Sequence, residues 1–166
     1  MKEVIVPERL RHPLFFESSV ILLDEKTPFF EELHFHSGYG SSPLEHKEHF
    51  SRKVFEHFLR EERNIAAYFR NKERHKARPL MIFHLSKLIQ ILFWNNDRLC
   101  PDVLSMIEHT SDLCDAPVNV KERLGFIFSQ PDHFQAFIQM KELFREFEKK
   151  CSILYKRKHE NEDKSH

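Results

Sequence analysis

Glycine is scarce in this 166-residue chain, which has only Gly38, Gly40 and Gly125. Left-handed turns and bulges lean on glycine, so a sheet-rich fold is disfavoured and long helices joined by proline-marked links are expected. Cysteine is equally sparse. Cys100, Cys114 and Cys151 are odd in number, far apart and contain no C-x-x-C pair. That argues against a disulfide framework and fits a reducing compartment. Net charge is missing too, since 26 Lys and Arg balance 26 Asp and Glu. No overall field draws the chain to nucleic acid or anionic lipid, and any such attraction must come from a local patch. No convincing membrane span is present, because the most apolar stretch is too short and is interrupted by polar residues. The first seven residues carry Glu3 and end on Pro7, where a secretory leader would need its apolar run. A cytoplasmic protein with no membrane contact is the expectation.

What the chain does have is phenylalanine, 17 residues against one tryptophan and three tyrosines. A buried aromatic side chain removes roughly 150–250 Å² from water, and with 40% hydrophobic content the chain supports one domain with a real core. The stretch Pro79–Asn95 organises the rest. Proline suits a first helical position. Ser86, Lys87 and Gln90 gather on one narrow strip, and the remaining circumference is apolar, as in a helix surrounded by neighbours. The fold class expected is therefore all-α: a single-domain helical bundle over residues 1–158, with a central buried helix and a long C-terminal amphipathic helix.

Around that helix, residues 1–12 read as an N-terminal arm, with Val4–Val6 extended or simply packed. Leu14, Phe15, Leu22 and Leu23 suggest a short, weak helix. Thr27-Pro28 starts a cleaner one that stops near Gly38. A charged helix runs from Glu45 to Asn71, with Phe50, Val54, Phe58, Ile65 and Phe69 as its apolar stripe. Cys100-Pro101 opens a short helix, and another passes through Val120, Leu124, Ile127 and Phe128. The last helix, from about Pro131 to Lys158, repeats Phe137, Phe144, Cys151 and Met140, Phe147, Leu154 every seven residues. Coiled-coil seam and inner face of a bundle both fit that spacing; the short length favours the bundle. Residues 159–166 form a polar tail expected to fray.

Three places invite chemistry. Two of the three glycines flank Tyr39 in the loop after His34 and His36, which implies positive φ or a close approach by another segment. His34, His36 and Tyr39 are candidate binding residues. A metal site joining His34 and His36 to His46 or His49 is conceivable, but no H-E-x-x-H or finger spacing supports it, and solvated or packing histidines are the simpler reading. Cys100, His109 and Cys114 match no metal pattern either. Second, Arg70, Lys72, Arg74, Lys76 and Arg78 form a basic link leading to the central helix, a candidate anion or nucleic-acid contact; the dipole of the preceding helix also favours cations there. Third, Lys87 shares a strip with Phe83, Gln90 and Trp94. Lys87 and Trp94 face a partner groove on one reading; on the other the lysine snorkels to solvent while Trp94 caps the core. His84 lies on the apolar side and reads as a hydrogen-bonded core histidine.

The run from Pro117 to Phe144, PVNVKERLGFIFSQPDHFQAFIQMKELF, together with Ser37-Gly-Tyr-Gly40 and Leu92-Phe-Trp-Asn95, resembles the YpoC-like family, small proteins of low-GC Gram-positive bacteria. The resemblance implies a helical cytoplasmic protein. It supplies no assigned activity and so no catalytic residues, and its loose gene association with DNA replication and repair is only a hint. No nucleophile–base pair, phosphate-cradling loop or paired carboxylates are visible. The leading expectation is a non-catalytic interaction or accessory factor with a protein partner and no cofactor. Its surface would be the Gly38–Gly40 loop and the exposed side of the helices near Trp94. A nucleic-acid-associated factor using Arg70–Arg78, and a metal-dependent protein using the loop histidines, are the alternatives.

Overall fold

From His84 to Asn95 every side chain is buried, and Leu85, Ile89 and Leu92 are fully so. This is the inner half of helix α3, Arg74–Trp94, in a computed structural model that describes residues 1–165. Helix α2, Lys47–Arg70, precedes it and packs along it as an antiparallel hairpin. The turn is only Asn71, Lys72 and Glu73, with Lys72 in the left-handed region at φ 59. Helix α6, Phe134–Lys164, lies against both, and α5, Val120–Ser129, lies against α6. The short helices α1, Phe30–His36, and α4, Met106–Thr110, complete six helices among the described residues. The protein is thus a predominantly helical bundle around α3.

Part of the apolar stripe of α2 packs on α6. Phe58 stacks on Phe144 with centroids 4.1 Å apart, and Phe69 stacks on Phe137 at 5.6 Å. Both seven-residue series of α6 face inward, toward this chain's own core. A buried polar bridge ties the three long helices together. The Asn95 amide donates to Ser51 Oγ at 2.9 Å and accepts from the Tyr155 hydroxyl at 2.6 Å. Such bonds fix the helices' register as well as adding stability.

Several expectations change, among them the short helix expected from Cys100-Pro101, which begins only at Met106. Residues 20–23 form strand β2, Val20–Leu23, paired antiparallel with β1, Lys2–Ile5, and not a helix; β-branched Val20 and Ile21 suit a strand better. The central helix begins at Arg74, so Pro79 lies inside it. The hydrogen bond that Pro79 cannot make would go to the His75 carbonyl, and both residues are exposed, so that carbonyl is not buried without a partner. The basic link is consequently no linker: Arg74, Lys76 and Arg78 sit on the first turns of α3. Finally, α6 stays helical to Lys164, through residues expected to fray, with His159 bonded to Glu48 at 3.1 Å.

Cys100 and Cys151 are buried and Cys114 is exposed, all as free thiols. Burial pushes the Cys151 thiol up to about 12 and raises Cys100 as well, so neither is a ready nucleophile.

Candidate binding cleft between the first three helices

Residues of α1, α2 and α3, with Gly40, Ser41 and Pro43 between α1 and α2, line one cleft. The cleft has a volume of about 1140 Å³. Helical spacing decides what faces it. From α2 come Lys53, His57, Arg60 and Glu61, at steps of three and four; from α3 come Leu80, Phe83, His84 and Lys87.

At the inner end, His57 and His84 both meet Glu61. His57 Nε2 lies 3.0 Å from Oε1, and His84 Nε2 lies 2.7 Å from Oε2. The two rings sit edge to face at 5.1 Å. The hydrogen bond from His84, then the bond and field of His57 against the cost of burial, holds the Glu61 carboxyl down at about 2. Burial outweighs the adjacent carboxylate at His84 and lowers its pKa. The pair is therefore a neutral imidazole donating to a carboxylate. Among the described residues, these three are the one group of His, Cys, Asp or Glu whose ligand atoms all lie within 4.8 Å of one another.

A second charged contact lies one turn along α3. Lys87 is only 5% exposed, and its Nζ bonds Glu31 Oε2 at 2.7 Å. The ammonium also sits 5.1 Å from the centre of the Phe83 ring and 5.9 Å from that of Phe30. Lys87 thus does not snorkel: it is locked between a carboxylate and two aromatic faces.

Of the candidate residues, His34 and Lys87 line the cleft. His34 stacks on Phe30 at 5.5 Å and lies 5.5 Å from Tyr39. The loop glycines have positive φ, +85 at Gly38 and +73 at Gly40, and a Cβ on Gly40 would come within 3.3 Å of the His34 ring. Both reasons for glycine there hold at once. Tyr39 is not among the cleft-lining residues; the Lys2 ammonium lies 3.7 Å from its ring centre. His36 is exposed and outside this stack, as are His46 and His49.

Trp94 needs correction. It is wholly buried, and its indole N–H donates to Glu32 at 2.9 Å, so no partner-facing surface exists at that residue. The Lys87–Gln90–Trp94 strip is core, because α1 covers it. At the basic segment, Arg74 and Arg78 approach the Asp132 carboxylate at 3.5 and 3.9 Å, and Lys76 approaches Glu73 at 3.4 Å. Arg70 and Lys72 are exposed at the hairpin turn.

His57 and Glu61 were not singled out from sequence. Their i,i+4 spacing on a charged helix was the available signal, but it also describes an ordinary solvated face. Only the packing of α2 on α3 brings His84, 23 residues on from Glu61, into the same cluster.

A family model described as YpoC-like protein matches residues 48–159. No curated protein and no solved structure matches the chain. The matched segment runs from the first turn of α2 into the exposed end of α6 and takes in His57, Glu61, His84 and Lys87, while α1 and the glycine loop lie before it. With more than half its length in that match, the chain belongs to the YpoC-like family.

Proposed function

We propose that the protein works by binding, as a non-catalytic accessory factor of the cytoplasm that receives a short segment of a partner protein in the cleft between α1, α2 and α3. The cleft itself is the observation that supports this reading. At about 1140 Å³ it is larger than the roughly 300–1,000 Å³ of most small-molecule pockets. Its floor is apolar, with Leu80 and Phe83 beside Phe50 and Val54, and its rim carries both signs of charge, Lys53 and Arg60 against Glu56 and Glu25. Apolar anchors inside a polar rim are what a folded partner segment requires. A nucleic-acid role at Arg70–Arg78 has less support, because three of the five cations there already face carboxylates.

A photoreactive amino acid at Phe83, inside the cleft, and one at Leu104, an exposed apolar residue elsewhere, would be compared in cells. The expected result is a discrete protein adduct from position 83 that survives nuclease treatment and is absent from position 104. Equal labelling at both positions, or no adduct at 83, overturns the proposal.

A further inference from the structure

We propose that His57, Glu61 and His84 form a binding site for a divalent transition-metal ion of the zinc class at the inner end of the cleft. Two imidazole nitrogens and a carboxylate are the donor set of open zinc sites, in which three protein ligands leave one position for water or a ligand. Nitrogen donors also select against magnesium and calcium, which prefer all-oxygen surroundings. Here all the ligand atoms fall within 4.8 Å of one another.

The placement also suits an ion. His57 and Glu61 are one turn apart on α2, so their separation is set by the helix. His84 comes from the facing helix and is 1% exposed, held by ring contacts to Phe58 at 5.3 Å and Phe83 at 5.2 Å. A ligand fixed on two rigid elements loses little entropy on binding. All three residues line the cleft, so an ion held there would lie at its wall. The nearest buried cation, Lys87, is committed to Glu31 at 2.7 Å, which offsets its repulsion of a dication.

Binding requires each imidazole to present an unprotonated Nε2, so the proton by which His84 Nε2 donates to Glu61 moves to Nδ1 and the ion replaces that hydrogen bond; no oxidant or reductant enters. The competing description is a hydrogen-bonded trio needing no ion, since Glu61 already contacts both rings. The site deepens the binding role proposed above by placing an ion in the same cleft. It rests on that reading for location alone, because ion uptake is measured on the purified chain and partner capture in cells.

The test is a titration of the untagged full-length protein with Co²⁺, followed by displacement with Zn²⁺. One Co²⁺ per chain is expected, with the visible absorption of a low-coordinate histidine complex that Zn²⁺ abolishes. His57→Gln and Glu61→Gln should each weaken binding by more than the roughly 10–100-fold typical of losing a side chain that merely orients a ligand. His57, on the cleft wall and half-buried, is the variant best able to fold, which circular dichroism checks. A variant with the exposed His36, His46 and His49 all replaced by alanine should bind as before. Absence of the band in the parent protein, or unchanged binding in folded His57→Gln, overturns the proposal. So does loss of binding in the three-alanine variant.

Discussion

Trp94 donates its indole N–H to the Glu32 carboxylate at 2.9 Å, across 62 residues of sequence and with both side chains buried. The same carboxylate accepts the Cys100 amide at 2.7 Å and the Arg9 guanidinium at 2.9 Å. One side chain of α1 thus joins the N-terminal segment, the end of α3 and the chain that follows it. Glu32→Ala would leave two buried donors without an acceptor and Arg9 with only the Cys100 carbonyl as partner. The expected loss is about 3–5 kcal/mol, the range for breaking a buried pair from one side. Glu32→Gln keeps one acceptor oxygen and should cost less. Urea unfolding, read as a shift in midpoint at constant slope, decides the order.

Gln90 presents the opposite situation. It is fully buried on α3, and neither its amide nitrogen nor its oxygen has a hydrogen-bond partner among the described residues. An unmet buried polar group costs about 1–3 kcal/mol. Gln90→Met, of similar length and flexible shape, should therefore stabilise the protein by about 1 kcal/mol in the same urea assay. A loss of stability would show instead that the amide is served by an internal water.

Acid should unfold the metal-free protein partly through the cleft. The native values of His84 and Glu61 both lie below their ordinary values of 6.5 and 4.5, Glu61 at about 2. As pH falls, the unfolded chain takes up these protons before the native one does, so stability declines. The decline begins near pH 6.5 through His84 and continues from about 4.5 towards 2 through Glu61. Chelator-treated wild type and Glu61→Gln, compared between about pH 6 and pH 3, isolate the Glu61 share. The advantage of wild type should shrink as the buffer is acidified; an advantage independent of pH would remove the electrostatic account.

Much of the architecture could be read from residue pattern. All-round apolarity marks α3, because surrounding neighbours leave no polar face except a strip, and steps of three and four mark α2 and α6. The β1–β2 hairpin was hidden because neither strand is long and its outer face is apolar: Ile5, Val20 and Leu22 are exposed. Proline is a strong start signal and is also tolerated on an exposed helix face, so residue pattern alone does not separate the Pro79 start from the Arg74 start of α3. For the cleft, the glycine loop was legible through the rarity of glycine. The His57–Glu61–His84 group was not, since a core-side histidine and a surface-type ion pair each have an ordinary local explanation. Trp94 went astray for a related reason: the polar strip beside it reads as a way out to solvent, and only tertiary structure shows α1 lying across it.

Glu31 and Glu32 are neighbours on a helix of seven residues, yet the first grips Lys87 in the cleft and the second anchors Trp94 and Cys100 in the interior. A single turn of backbone therefore serves as both door-frame and rivet. A change that drew Glu31 off Lys87 would therefore act on the turn that also holds Trp94 and Cys100.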